Sequence, residues 1–146
     1  MGTARAITDR AYAAMAAHDT EAFLALCSST CEFREAGMRM EGHEQLRGVL
    51  QGYFTAFPDM RVEVIDAVEG DGVVAAETRF TGTHTGPLLM PSGELPPTGR
   101  AVSIDTCDYI KLSGDRIQSW HVYMDSADFM AQLGVTPAPA EAAAVG

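Results

Sequence analysis

The main change in the spacing of apolar residues along the chain comes at Pro58. Before it, residues 4–17 and 43–57 each carry apolar side chains three or four positions apart, as on one face of a helix. A short helix over 21–28 is predicted between them, and the proline ends the third helix. After it, residues 60–68 alternate apolar and charged positions, the pattern of a strand buried on one face. The pattern therefore predicts helices first and strands afterwards.

Strand patterns dominate the second half of the chain. The Gly- and Pro-rich stretch 83–99 is predicted to be a long loop. The predicted strands cover residues 31–35, 60–68, 73–82, 100–113 and 116–124, and a last helix covers 127–134. Helices followed by hairpin-connected strands indicate an α+β fold whose sheet is mostly antiparallel and covered by helices on one face. We expect a cone-shaped α+β barrel, in which a curved sheet wraps around the N-terminal helices and encloses a small molecule.

Length and charge restrict the classes of function. The 146 residues are predicted to form one domain over 1–136, followed by a flexible tail over 137–146. Asp and Glu total 20 against 10 Lys and Arg, so the net charge of -10 argues against nucleic acid and anionic membranes as partners. No apolar run is long enough to span a bilayer, and the N-terminus lacks a signal-peptide pattern, so we expect a cytoplasmic protein. The cysteines lack metal-ligand spacing, and no metal site is predicted.

The hairpin between the last two predicted strands contains the most specific candidate site, formed by Asp108 and His121. A two-residue Gly-Asp loop is predicted to place Ser113 opposite Arg116. Counting back from this turn places Asp108 directly opposite His121, and opposed residues share one face of a sheet. The apolar positions of the first strand lie on the same face as Asp108: Val102, Ile104, Ile110 and Leu112. We therefore expect Asp108 and His121 to meet inside the cone.

An Asp beside a His in an apolar cavity is a general acid/base arrangement. The carboxylate fixes the tautomer of the imidazole and stabilises its cation, while burial opposes that charge. Such a His transfers a proton near neutral pH, as an enolisation or an aldol step requires. The alternative interpretation is a buried polar pair without chemistry, because structural ion pairs also shift pKa values.

Several aromatic side chains are candidates for a substrate pocket. Aromatic residues supply flat apolar walls for a hydrophobic small molecule, although at such spacing they also form ordinary cores. The candidates for substrate binding are Tyr12, Phe33, Tyr53, Phe54, Trp120 and Tyr123.

Several segments resemble a known family. The sequence is similar to the SnoaL-like polyketide cyclases of the nuclear transport factor 2-like superfamily, from the first helix to Gly134. The segments that carry this resemblance are AFPDMRVEV, FTGTHTGPLL, PPTGRAV, the D-x-x-K hairpin with GDRI, and WHVYMDSADFMAQLG.

The resemblance implies an α+β cone, usually a dimer through its sheet, that closes a ring in a polyketide-like molecule by an intramolecular aldol condensation, without metal or organic cofactor. Asp108 falls where the family has an Asp or His on the penultimate strand. On the last strand, the family's cyclases carry a catalytic Asp near a Trp, whereas Trp120-His121-Val122 contains no carboxylate. His121 is the side chain there that is able to take over proton transfer, with Asp108 as its partner or as the acid.

Other functions on the same fold compete with a cyclase. An epoxide hydrolase requires an Asp-Arg-Asp set around a water, and Asp105 and Asp108 lie on opposite faces of one strand. A ketosteroid-type isomerase requires a Tyr and a protonated carboxylic acid as an oxyanion hole. Tyr12 or Tyr53 would serve there, but the sequence shows no evident second buried acid. A non-catalytic binding protein would have hydrocarbon walls alone.

Overall fold

The computed structural model describes residues 2–135. The tail predicted over 137–146 lies outside the described residues. The helices are α1 (Thr3–Ala16), α2 (Thr20–Leu24), α3 (His43–Ala56) and α4 (Ser126–Gln132). Asp19 and Asp125 cap α2 and α4, because each side chain accepts a hydrogen bond from a backbone N–H of the first turn. Within 2–135, no helix combines the length and the apolar character needed to cross a membrane.

Six of the eight strands form one sheet, in the order β2-β1-β8-β7-β4-β3. The strands are β1 (Cys27–Glu35), β2 (Met38–Glu41), β3 (Arg61–Gly70), β4 (Val73–Thr83), β5 (Leu88–Met90), β6 (Gly93–Leu95), β7 (Ala101–Ser113) and β8 (Arg116–Met124). All neighbours in this sheet are antiparallel except β1 and β8. The predicted α+β fold is confirmed, with a sheet that is curved but not closed into a barrel.

The inner face of the sheet packs against the helices. Strand β7 shows this most clearly, because its residues alternate between buried or half-buried and exposed along the whole length of the strand. Asp108 occupies one of its buried positions, between Ile110 and the half-buried Thr106. The side chains that lie on this inner face therefore define the interior of the protein.

The segment 83–99 differs from the predicted loop, because it contains the short hairpin β5–β6 and is tied to α3. The N–H groups of Thr85 and Gly86 both donate to the carbonyl of Ala56 at the end of α3. Gly86 approaches the helix so closely that a Cβ there would lie 2.0 Å from a backbone oxygen. His84 is fully buried, and its Nδ1 accepts a hydrogen bond from the backbone N–H of Thr98 at 3.1 Å.

Candidate functional site

The helices and the inner face of the sheet enclose a cavity of about 90 Å³. Its walls are almost entirely apolar, and they include the adaptable side chains of Met15, Met60 and Met124. Few polar groups reach it, namely those of Glu35, Tyr53, Thr78, Thr106, Asp108 and Trp120. An apolar cavity with a few converging polar groups is the usual form of a small-molecule site.

Side chains from several elements of the fold hold the carboxyl group of Asp108, on β7, in position. The Tyr12 hydroxyl, from α1, donates a hydrogen bond to its Oδ2 at 2.6 Å, and the Thr106 hydroxyl lies 3.4 Å from Oδ1. Thr106 is itself 2.6 Å from the hydroxyl of the buried Thr78 on β4. Burial raises the pKa of Asp108 to about 6, although contacts from Tyr12, Thr106 and Trp120 favour its ionised form.

Glu35 is a second buried carboxyl group in the same cavity. It lies at the end of β1, beside Val122 of β8, and is only 8% exposed. The Tyr53 hydroxyl, from α3, donates a hydrogen bond to its Oε1. Its Oε2 has no hydrogen-bond partner among residues 2–135. Burial raises the pKa of Glu35 to about 7, and the nearby Asp108 charge raises it further.

The predicted register of the β7–β8 hairpin is correct as far as Leu112 opposite Ile117 and is wrong beyond that pair. The two-residue turn is present, with Ser113 opposite Arg116. The register then shifts between Lys111 and Leu112. The extra residue on β8 is Gln118, whose side chain accepts a hydrogen bond from Ser28 and donates to Thr30 on the neighbouring β1. A bulge of this kind moves every later side chain to the other face of the sheet.

The bulge separates the predicted catalytic pair. Asp108 lies opposite Val122, and His121 lies opposite Tyr109 on the outer face. The prediction that Asp108 and His121 meet inside the cone is therefore wrong. The Nε2 atom of His121 is instead 2.8 Å from Oε1 of Glu32, which also pairs with Arg39.

The family is decided by the sequence profile. The profile of the SnoaL-like polyketide cyclases matches residues 6–133, nearly the whole described chain. The chain belongs to the SnoaL-like polyketide cyclase family. Membership indicates an enzyme of the cyclase type. No curated protein matches the sequence.

Solved structures share the fold of this SnoaL-like chain at low sequence identity. A Jannaschia sp. CCS1 protein described as a SnoaL-like polyketide cyclase has a TM-score of 0.81 and 18% identity, over 92% of this chain and 94% of that one. A Pseudomonas putida KT2440 protein described as a polyketide cyclase has a TM-score of 0.74 and 22% identity, over 90% and 98%. An NTF2-like protein of unknown function from Burkholderia pseudomallei K96243 has a TM-score of 0.75 and 13% identity, over 91% and 98%. These similarities establish the fold.

The aromatic residues predicted for the pocket of this SnoaL-like protein divide between the interior and the outer face of the sheet. Phe33, Tyr53, Phe54 and Trp120 line the cavity, whereas Tyr12 is not among its lining residues and donates a hydrogen bond to the lining residue Asp108. Their role in binding a substrate stays a prediction. Tyr123, on the other hand, lies on the outer face and is 61% exposed, so its predicted place in the pocket is wrong. The same bulge that turns His121 outwards turns Tyr123 outwards. Whether a second copy covers this outer face, as in the predicted dimer, stays a prediction.

Glu35 is the site residue that sequence reasoning did not assign. The signal was present, because Phe33 and Glu35 are two positions apart and therefore share a face of the strand. Phe33 lines the cavity, and Glu35 lines it as well. The missing second buried acid of the isomerase alternative is thus supplied by β1.

An epoxide hydrolase site is not assembled in this cavity. Arg79, on β4, forms a two-contact ion pair with Asp105 on the outer face of the sheet. Among the described residues that line the cavity, none is an arginine. The set of two aspartates around an arginine that this chemistry requires is therefore absent from the described cavity walls.

Proposed function

We propose that the protein is a cofactor-independent cyclase that closes a ring in an apolar, polyketide-like molecule by an intramolecular aldol-type reaction. One observation carries the proposal. Two buried carboxyl groups, Asp108 and Glu35, face one apolar cavity, and burial brings the pKa of both close to neutral pH. Pairs of titratable groups with different pKa values in one site divide acid and base roles between them.

Asp108 is the base in this proposal. With a pKa of about 6 it is mostly ionised at neutral pH, and its carboxylate removes a proton from a carbon next to a carbonyl group. The electron pair of the broken C–H bond passes into an enolate. The Tyr12 hydroxyl donates to Oδ2 and the Thr106 hydroxyl lies 3.4 Å from Oδ1, so both carboxylate oxygens are held in position at the cavity wall.

Glu35 is the acid. With a pKa of about 7 it is protonated in a large fraction of molecules at neutral pH, and its Oε2, which has no partner among residues 2–135, is the oxygen that donates in this proposal. The enolate carbon attacks a second carbonyl carbon of the same molecule, so that a C–C bond forms and the carbonyl oxygen becomes an alkoxide. Glu35 protonates this alkoxide. A proton returned from Asp108 to Glu35 through solvent restores both groups, and no redox partner is required.

The size of the cavity limits how a substrate binds. A volume of about 90 Å³ holds the reacting end of a molecule, whereas small-molecule sites span about 300–1,000 Å³. Met60, Met124 and Phe129 line the cavity. Unbranched methionine side chains change rotamer readily, so a larger substrate is accommodated by their displacement.

The test uses small probes. A short acyclic diketone that can close a six-membered ring is incubated with the protein in D₂O, and NMR follows deuterium entry at carbon and ring closure. We expect deuterium entry to be faster than in the Asp108→Asn variant, and ring closure to be faster than in both the Asp108→Asn and the Glu35→Gln variants. Deuterium entry or ring closure that is equal in the wild type and in both variants contradicts the proposal.

A ketosteroid-type isomerase is the second candidate, and Glu35 specifically favours it. That chemistry uses a carboxylate base with an oxyanion hole formed by a Tyr and a protonated carboxylic acid. Asp108, which is bonded to Tyr12, supplies the carboxylate base. Glu35, which is bonded to Tyr53, supplies the protonated carboxylic acid and the tyrosine of the oxyanion hole. Conversion of an unconjugated cyclic enone to its conjugated isomer, without ring closure of the diketone, would select the isomerase. Binding of both probes without turnover would select a non-catalytic binding protein.

A further inference from the structure

The cavity contains negative charge without a positive partner. Asp108 and Glu35 line it, and none of its described lining residues is a lysine, an arginine or a histidine. Carboxylates on the outer face differ, since Glu32 contacts His121 and Arg39 and Asp105 contacts Arg79. From the described part of the chain, the interior carboxyl groups receive hydroxyl hydrogen bonds and the contact from the Trp120 indole, and no contact from a cation.

One carboxylate oxygen is open towards a ligand. Glu35 is only 8% exposed, and its Oε1 accepts the hydrogen bond from the Tyr53 hydroxyl. Its Oε2 has no partner in the part of the chain that the structure describes. A carboxylate oxygen among apolar walls that has no donor is able to accept hydrogen bonds from a ligand with N–H groups.

The remaining walls suit the body of an organic cation. Aromatic rings, including Phe33, Phe54 and Trp120, line the cavity, and the face of an aromatic ring attracts a positive charge. We propose that this cavity binds compact organic cations, namely protonated amines with a small apolar body. The ammonium group lies at Glu35 and Asp108, and the apolar body packs on the rings. This inference does not depend on the proposed reaction, because it concerns binding alone.

The chain provides its own probe for this binding. Trp120 is the single tryptophan of the sequence, and it lines the cavity, so its fluorescence reports on a ligand there. The test titrates the protein with three molecules of nearly equal size and different charge: benzylamine, benzyl alcohol and benzoate. Methylammonium is the cation without an apolar body. Physiological salt suppresses attraction by the net charge of the whole protein.

We expect benzylamine to bind at least about tenfold more tightly than benzyl alcohol, and benzoate to bind least. Methylammonium should not change the fluorescence, because it lacks the group that packs on the rings. Equal or tighter binding of the alcohol, or no detectable binding of benzylamine, overturns the proposal. The comparison among ligands uses the wild-type protein, so it holds even where a variant does not fold.

Variants of the two carboxyl groups then show whether Glu35 and Asp108 contact the ammonium group. Glu35→Gln and Asp108→Asn should each reduce the preference for benzylamine over benzyl alcohol, and the double variant should remove it. Glu32→Gln is the matched control, because Glu32 lies on the same strand and on the outer face. A preference that persists in the double variant, or that falls equally in Glu32→Gln, overturns the proposal. Turnover of the diketone is measured separately, so the failure of binding and the failure of catalysis are distinguishable.

Discussion

Glu32 and Glu35 lie three residues apart on β1, yet their carboxyl groups have opposite properties. The contact with His121, followed by Arg39, lowers the pKa of Glu32 to about 2 on the outer face. Burial raises the pKa of Glu35 to about 7 on the inner face. The residue type and the strand are the same, so the difference comes from what each face of the sheet presents. An ionised carboxylate is stable beside cations and unstable among apolar walls.

Strand β7 shows the same difference between an outward and an inward carboxyl group. Its outward Asp105 has a lowered pKa because of the hydrogen bonds from Arg79, whereas its inward Asp108 has a raised pKa because of burial. The sheet therefore separates carboxylates paired with cations outside from carboxyl groups inside that have no cationic partner among residues 2–135. Buried groups with shifted pKa values are typical of functional sites. Substitutions on the inner and outer faces of the same strand therefore test whether the chemistry belongs to the inner face alone.

The largest effect is expected at Asp108. Asp108→Asn keeps the shape of the side chain and an acceptor for the Tyr12 hydroxyl but removes the base. Deuterium entry into the diketone should fall by about 10³-fold, within the range for loss of a general base. Asp105→Asn is the matched control on the outer face of the same strand, and it should keep its rate. A similar loss in both variants would indicate damage to β7 instead of loss of the base.

Glu35→Gln should lower ring closure by about 10²-fold, because a glutamine donates an N–H bond but transfers no proton. NMR of the diketone reaction measures this rate. Glu32→Gln, three positions away on the outer face, should leave the rate unchanged. Full activity of Glu35→Gln would remove Glu35 from the proposed mechanism.

The pH dependence of the rate tests the division of roles. Ionised Asp108 is required, so the rate should rise with pH through about 6. Protonated Glu35 is required, so the rate should fall again above about 7. The expected profile is a narrow bell in the rate of ring closure, measured by NMR across this range. Glu35→Gln should lose the fall at high pH and keep the rise, whereas a fall retained in that variant would belong to another group.

The same carboxyl group should make the fold less stable at high pH. The folded-state pKa of Glu35 is raised above its unfolded value of 4.5, so its contribution to stability is fully present below that value and is lost as pH rises through about 7. Glu35→Gln should therefore increase the free energy of unfolding at pH 8 by about 2 kcal/mol, measured by urea denaturation. Glu32→Gln should change it in the opposite direction. Equal midpoints of Glu35→Gln and the wild type at high pH would contradict this assignment.

Local sequence patterns predict much of the fold, but they predict the candidate site only in part. The alternation along β7 placed Asp108 inside correctly, because a strand with one apolar face has a fixed period. The face of His121 depends on Gln118, whose bulge is held by Ser28 and Thr30 of a strand nearly ninety positions away. Such a contact leaves no signal in the hairpin's own sequence. The short pairing of β5 with β6 was missed for a similar reason, since its attachment to α3 depends on tertiary contacts.

The smallest effect is expected at His121. From the sequence alone this residue is the proposed base, and His121→Ala would then abolish turnover. In the structure its ring contacts Glu32 on the outer face and no group of the cavity, so deuterium exchange should change by less than about twofold, as for a surface substitution away from the site. The pKa of Glu32 should rise in this variant, because His121 is the largest cause of its lowering. NMR titration of Glu32 measures that change. A loss of exchange comparable to that of Asp108→Asn would mean that the outer face takes part in the chemistry, and the contrast between the two faces would no longer explain the site.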